Sequence, residues 1–309
     1  FEFRLSLRWM IVQRIEEFGA FIAGEKKYSS HTLKSYLQDL RDFKDYLSSQ
    51  YMVSNPLEIK PIYIRSWLAT MSAAGMESSS LNRKLSTLKS FFKFLKGREP
   101  GLINPMRKII SPKNKKALPK FVTSREMETM LVGNETEAED YFTELPHFMV
   151  QLFYETGIRC AEMASLRLQD INAAGNSIKV LGKGNKQRII PVRAELMVKI
   201  IRFINIRKDV DNIQCDHLII TPRGMKSYPK YIYNLVHKVL ERNTSSQQKS
   251  PHVLRHSFAT HLADNGAEIN AIKALLGHSS LKATQVYTHN SIQKIREVYV
   301  LAHPRAQKK

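Results

Sequence analysis

The chain has 309 residues, enough for two domains of ordinary size, each able to bury its own core. Its hydrophobic share of 43% is that of a soluble globular protein, and no apolar run approaches the ~20 residues of a membrane span. Lys and Arg number 48 against 28 Asp and Glu, a formal net charge of +20 with a pI near 9.9. A polyanion is the natural partner, because phosphates that meet lysine and arginine release their condensed counterions. A basic but merely solvated surface, ribosomal contact or a membrane surface are the other readings of charge alone. The two cysteines, Cys160 and Cys215, exclude a disulfide framework and fit a reducing cytoplasm.

Phe1 to Trp9 has no small-residue cleavage site and reads as an upstream or cloning-derived extension, with a helical domain expected over 10–107. Ser30-His31-Thr32 precedes Leu33, Leu37, Leu40, Phe43 and Leu47, a three-and-four spacing that lays one apolar stripe along a helix. Asn55-Pro56 breaks it. Ile64, Trp67, Leu68 and Met71 form a second stripe, ended near Gly75. Leu81, Leu85, Leu88, Phe92 and Leu95 form a third, whose other face carries Arg83, Lys84, Lys89, Lys93 and Lys96. Lys84, Lys89 and Lys93 are therefore candidate phosphate contacts. Residues 108–120 hold two prolines and five lysines without an acidic side chain. They predict an extended basic linker, with Lys113, Lys115 and Lys116 as further phosphate contacts.

A second domain is expected over 121–303, followed by a basic tail at 304–309. It opens on Thr123-Ser124-Arg125-Glu126, a capping-box pattern. Helices are predicted near 145–156, 159–166, 194–207, 228–242, 251–264, 268–276 and 291–302. Between them, Ser177 to Leu181 and Arg188 to Val192 are β-rich and flank Gly182-Lys183-Gly184-Asn185-Lys186, a strand–turn–strand signal. The last helix has an apolar stripe of Ile292, Ile295, Val298 and Leu301, which can pack on its own domain or dock on a neighbouring copy.

Several short patterns in this second domain carry chemistry. Thr156-Gly157-Ile158-Arg159 ends one helix and starts another on an arginine, where amide groups and the helix dipole favour an anion; Glu162 can hold that arginine. His252-Val253-Leu254-Arg255 puts an imidazole and a guanidinium on one helix face, a proton carrier beside a phosphate fork. Lys183 sits on a hairpin tip between two glycines. Leu276-Gly277-His278 closes a helix, and Tyr287 follows nine residues later. Each pattern is weak alone, being equally readable as a surface pair, an exposed turn residue or a core aromatic. His252, His256 and His261 have helix-like spacing, but no carboxylate or cysteine set completes a metal shell, so no metal is expected. His256, His261 and His289 read as packing or hydrogen-bonding residues.

In order, Arg159, Lys183, His252, Arg255, His278 and Tyr287 resemble the full active-site signature of the tyrosine recombinase and integrase family. The separations, 24 residues from Arg159 to Lys183 and 26 from His252 to His278, are similar to those of its Xer branch. The likeness extends to Ser29–Leu33 near the start and to Ala-His-Pro-Arg-Ala in the tail. It implies a mainly α fold: a SAM-like helical core-binding domain plus an α+β catalytic domain with a small antiparallel sheet, closing on DNA as a C-shaped clamp. It implies a metal- and ATP-independent enzyme, without cofactor, in which Tyr287 forms a 3′-phosphotyrosyl bond. Arg159, Arg255 and His278 would bind the phosphate, Lys183 would protonate the leaving 5′ oxygen, and His252 would manage the tyrosine proton. The implied partners are a duplex recombination site, three further copies or a paralogous recombinase in a tetramer, and a DNA translocase at the division septum. The implied setting is the cytoplasmic nucleoid and the role chromosome or plasmid dimer resolution. A mobile-element integrase or invertase, and a DNA-binding protein that has lost catalysis, are the alternatives.

Overall fold

The computed structural model describes residues 10–26, 28, 30–113, 121–132, 140–182, 187–246, 248–277, 298–299 and 301–305. The chain divides into two compact units, 1–117 and 118–309.

The first unit is a helical bundle: α1 (Ile11–Gly24), α2 (Ser30–Tyr51), α3 (Pro61–Ala73) and α4 (Ser78–Arg98), with 3₁₀ turns at Pro56–Glu58 and Pro105–Lys108. The stripes expected for the last three helices face the core: Leu40, Phe43 and Leu47 of α2, Ile64, Trp67 and Leu68 of α3, and Leu81, Leu85, Leu88, Phe92 and Leu95 of α4 are buried, and Leu33, Leu37 and Met71 are partly buried against them. α1 is not among the elements expected from the sequence. Its Ile11, Ile15, Phe18 and Ile22 recur at four, three and four, and all are buried. Pro61 opens α3 at a position where the missing N–H costs nothing, and the Asn55 and Asn104 side chains cap the two 3₁₀ turns.

The bundle also encloses charge. Asp39 of α2 is buried and accepts hydrogen bonds from Arg83 Nη1 at 2.6 Å, Lys84 Nζ at 3.0 Å and Thr87 Oγ1 at 2.9 Å. Lys84 also reaches Asp42 Oδ2 at 2.8 Å and lies over the Trp67 ring, 5.4 Å from its centroid. At 6% exposure, Lys84 does not belong to the basic outer face where its spacing put it. Its ammonium pairs Asp39 because that buried carboxylate must be compensated. Arg83, Lys89, Lys93 and Lys96 are exposed along α4, and Lys89 Nζ donates to Ser111 Oγ at 3.2 Å. Residues 109–112 run beside α4: Ile109 is buried and Asn82 Nδ2 donates to the Pro112 carbonyl at 2.9 Å.

The second unit contains α5 (Ser124–Val132), α6 (Tyr141–Thr156), α7 (Cys160–Ala164), a 3₁₀ turn at Leu168–Asp170, β1 (Ile171–Asn172), β2 (Ser177–Leu181), β3 (Gln187–Pro191), α8 (Ala194–Lys208), α9 (Pro229–Asn243), α10 (Pro251–Asp264) and α11 (Ile269–Leu276). The sheet is antiparallel in the order β1-β2-β3, with Ile178 opposite Ile190 and Leu181 opposite Gln187. β1 has no sequence signal because two residues carry no period. The hairpin sits on the core through Ile178, Val180 and Ile190, while Lys179 and Leu181 face out. α6 is the central helix, buried from Phe148 to Thr156, with Phe148 stacked on Phe203 of α8 at 3.8 Å and Tyr141 Oη donating to the Leu218 carbonyl.

Thr123 and Glu126 form the expected capping box: the Glu126 amide donates to Thr123 Oγ1 and Glu126 Oε2 accepts from the Thr123 amide. The same carboxylate accepts from Thr244 Oγ1 and from the Ser245 amide and hydroxyl, tying α5 to the segment ahead of α10.

The described residues near the end of the chain pack on the second unit. Tyr299, Ala302 and His303 are buried, the first two joining a cluster with Phe258, Leu262, Ile272, Leu275 and Leu276. Tyr299 Oη donates to the Glu155 carbonyl at 2.9 Å, and Asn265 Nδ2 to the Ala302 carbonyl at 2.8 Å. The buried face is thus one residue off the expected stripe, and Leu301 is 71% exposed. Ile292 and Ile295 lie outside the described residues.

Replacing Asp39 with Ala leaves the Lys84 ammonium buried beside fewer partners, and breaking such a pair costs about 3–5 kcal/mol. Urea unfolding should show a loss of that size, whereas Lys93→Ala, on the exposed face, should shift stability by under ~0.5 kcal/mol. For Glu126, burial pushes the carboxyl pKa up, but the Thr123 and Ser245 hydrogen bonds outweigh it and bring it from 4.5 down to about 2. A depressed carboxylate contributes stability above its unfolded value and loses it as pH falls through the folded one. The stability gap between wild type and Glu126→Gln should be full at pH 6 and shrink from pH 4.5 toward 2; a gap constant with pH refutes this assignment.

Candidate active site

Four elements converge where α6 ends. Gly157 closes α6 in the left-handed region, φ +58°, its amide bonded to the Phe153 carbonyl. A Cβ at Gly157 would sit 2.6 Å from Phe258 Cδ1 and 2.8 Å from Leu276 Cδ2, so glycine is required for conformation and for space. The chain then turns into α7 with Arg159 as its N-cap. Glu162 completes that turn: Oε2 accepts from the Arg159 amide at 2.9 Å and Oε1 from Arg159 Nη1 at 2.7 Å. Glu162 thus holds Arg159 in place from within the same turn, as its spacing predicts.

Arg159 and Arg255 meet at the C-terminal end of α11. Arg159 Nη2 donates to the Gly277 carbonyl at 3.0 Å, and Arg255 Nη2 to the Leu276 carbonyl at 2.6 Å. Arg255 Nη1 donates to the Gly157 carbonyl. A third arginine, Arg188 of β3, donates Nε to the Leu275 carbonyl at 2.9 Å. Its Nη1 and Nη2 grip Oε1 and Oε2 of Glu162 at 2.8 and 2.9 Å. Three successive carbonyls thus each receive one guanidinium, which satisfies groups a helix end leaves unpaired and places cations at the negative end of its dipole.

The electrostatics follow from this crowding. Burial pushes the Glu162 carboxyl up, but the Arg188 and Arg159 guanidiniums overrule it and hold it at about 2. Arg255, 8% exposed, is brought down to about 9 by burial first and then by the positive charges of Arg159 and Arg188. Both causes disfavour the charged guanidinium, and a negative charge close by would offset them. His252, one turn ahead of Arg255 on α10, is exposed.

Lys183, His278, Tyr287, Lys115 and Lys116 lie outside the described residues, as does His289. Gly277 caps α11 in the left-handed region, φ +64°, immediately before His278. Lys89, Lys93 and Lys113 are exposed in the N-terminal unit, and Lys84 is not. Tyr299, the other tyrosine near the chain end, is fully buried and its hydroxyl pKa pushed well up by burial, so it is no candidate nucleophile. His261 is buried, with Nδ1 2.9 Å from Tyr154 Oη, whereas His256 is exposed. Among the described residues, no group of three His, Cys, Asp or Glu side chains could hold a metal ion. No helix there is long and apolar enough to cross a membrane. Arg188 is the member of the cluster that the sequence patterns do not single out. A signal for it exists: in an alternating strand it shares the inward phase of Ile190.

Residues 120–294 match the Phage integrase family, and residues 15–99 match the Phage integrase N-terminal SAM-like domain. The tyrosine recombinase XerC of Staphylococcus carnosus (strain TM300) is 33% identical over 95% of this chain and 98% of its own length. That of Staphylococcus aureus (strain USA300 / TCH1516) is 34% identical over 92% and 94%. Among solved structures, the XerH site-specific recombinase bound to palindromic difH substrate superposes with a TM-score of 0.68 at 20% identity, over 86% of this chain and 78% of that one. The Tn1549 transposon integrase in complex with circular intermediate DNA gives 0.70 at 20% identity, over 93% and 98%. These two likenesses establish the fold. Matched along both units and to relatives over nearly its whole length, the chain belongs to the phage integrase family and is a Xer-like tyrosine recombinase, an enzyme of site-specific DNA recombination.

Proposed function

We propose that the arginine cluster at the end of α11 is the phosphate-binding centre of a strand-exchange reaction with Tyr287 as nucleophile. The observation that carries this is the placement of Arg159 and Arg255 on adjacent carbonyls, Gly277 and Leu276. Each guanidinium has five N–H donors, and the bonds described above engage two of them on each. The remaining fork donors suit the non-bridging oxygens of one phosphate, where negative charge grows in the transition state. The Tyr287 oxygen attacks phosphorus, a phosphotyrosyl bond forms, and the bond to the 5′ oxygen breaks. His252 accepts the phenol proton and Lys183 supplies one to the departing oxygen. His278, directly after Gly277, adds a donor to the phosphate. Attack by the partner strand's 5′-hydroxyl reverses these steps, so bond energy is conserved and neither ATP nor a metal is consumed.

We infer further that the substrate is a duplex recombination site held in a tetramer, composed of four copies or shared with a paralogous recombinase. The biological outcome we favour is chromosome or plasmid dimer resolution in the nucleoid. Support comes from the relatives named XerC and from the exposed basic side chains of α4 and Lys113.

The central test uses a duplex selected from a random pool by the wild-type protein and nicked so that cleavage is irreversible. Tyr287→Phe should bind it normally and yield no covalent adduct. Arg159→Ala should bind within a few-fold yet lose cleavage by about 10²–10³-fold, since its contacts strengthen in the transition state. An adduct in Tyr287→Phe, or unchanged cleavage in Arg159→Ala, rejects the assignment. The basic segment makes a separate prediction. Neutralising Lys113, Lys115 and Lys116 together should weaken binding and lower the log–log salt slope by about 0.9 for each phosphate that these lysines neutralise. Identical slopes for wild type and the triple variant would remove these lysines from the DNA interface.

A further inference from the structure

β3 buries an arginine where its neighbour in phase is an isoleucine. Arg188 is 4% exposed, and its guanidinium is engaged within the protein on Glu162 and the Leu275 carbonyl. An ion pair this deep gives up more hydration than an aliphatic side chain would, so filling space is a poor reason for it. What the arginine adds is connection. It lies on β3, five residues after Lys183 in the chain. It grips both oxygens of Glu162, which itself holds the Arg159 amide and guanidinium. It also holds the last turn of α11, and Gly277 packs on it so closely that a Cβ there would lie 3.1 Å from Arg188 Cδ and Nη1. One planar group therefore joins the strand hairpin, the Arg159 turn and the terminus that leads into His278.

We propose that Arg188 is a positioning residue for strand cleavage: it locks Glu162 to the α11 terminus and so fixes where Arg159 presents its fork, without itself touching the DNA. This rests on the reading of Arg159 as a phosphate-binding group. The fork geometry matters as well as the charge, because a lysine makes no bidentate pair and cannot also cap the Leu275 carbonyl through a fixed Nε. Losing the grip also frees Glu162 from the ion pair that keeps it ionised at low pH.

The test uses the full-length protein and the same nicked duplex, with three readouts: the dissociation constant, the end-point of adduct formation and its single-turnover rate constant. Arg188→Met should bind within about threefold and reach the wild-type end-point, with a rate constant lowered on the order of 10²-fold, the scale of a ~1 Å misplacement. Its rate should also acquire an acid limb at higher pH than wild type, absent again in Arg188→Met with Glu162→Gln. Arg188→Lys should recover only part of the rate. A merely structural role lowers the end-point, because fewer molecules fold, and leaves the rate constant and pH profile of the folded fraction unchanged; that result overturns the proposal. If Arg188→Met does not fold, Arg188→Lys decides: a wild-type rate constant overturns the proposal, and a lowered one at full end-point supports it. Arg159→Ala is run beside them. If it cleaves at the wild-type rate, the phosphate-site reading itself is wrong and the positioning role falls with it; if it is slow while Arg188→Met is not, only the positioning role falls.

Discussion

The second unit depends on how three arginines are kept together in a partly dry place. Guanidiniums a few ångströms apart repel one another strongly where water is scarce, and burial adds a desolvation cost. Two sources of negative potential offset this: the Glu162 carboxylate, which serves Arg159 and Arg188 at once, and the C-terminal carbonyls of α11, which take one guanidinium each. The compensation is incomplete, since Arg255 is still brought down to about 9. One carboxylate and a helix end against three full charges leave a net positive field, and a phosphate is what would complete the balance.

That arrangement constrains the backbone around it. The end of α6 must approach α10 and α11 closely enough for Arg255 to reach the Gly157 carbonyl, and any side chain at Gly157 would overlap Phe258 and Leu276. Gly277 plays the same part at the other side, turning the chain at positive φ against Arg188. The chain end reinforces the pair of helices. Tyr299 and Ala302 bury against Phe258, Leu275 and Leu276, and Tyr299 bonds to the carbonyl of Glu155, two residues before Gly157. Packing of Tyr299 and Ala302 therefore links to the arginines through a short run of apolar side chains, while Leu301 faces outward.

In the N-terminal unit the same residue types divide into two populations. Lys84 bonds to Asp39 and Asp42 and rests on Trp67, whereas Lys89 and Lys93, at positions five and nine residues further along α4, face outward. A long amphipathic side chain can serve either end: its stem packs on apolar surface while its head finds a carboxylate or water. The number of lysines and arginines therefore overstates the cationic surface, since some of them are paired with carboxylates inside the bundle.

The α2, α3 and α4 stripes, the β2–β3 hairpin, the capping box at Thr123 and the order of the residues that resemble an active site are all legible in the amino-acid sequence. These features are local or periodic: an apolar period of three and four, a glycine-bounded turn, a cap three residues from its partner. Which charges lie inside is settled only by the folded chain. That Arg188 grips Glu162, 26 residues away, that Lys84 turns inward to Asp39, 45 residues away, and that Tyr299 rather than Leu301 faces the core all depend on long-range pairing. The physical reason is that a period specifies a face and not its partner. A buried carboxylate takes whichever cation the fold brings within reach, and only the packed chain says which one that is.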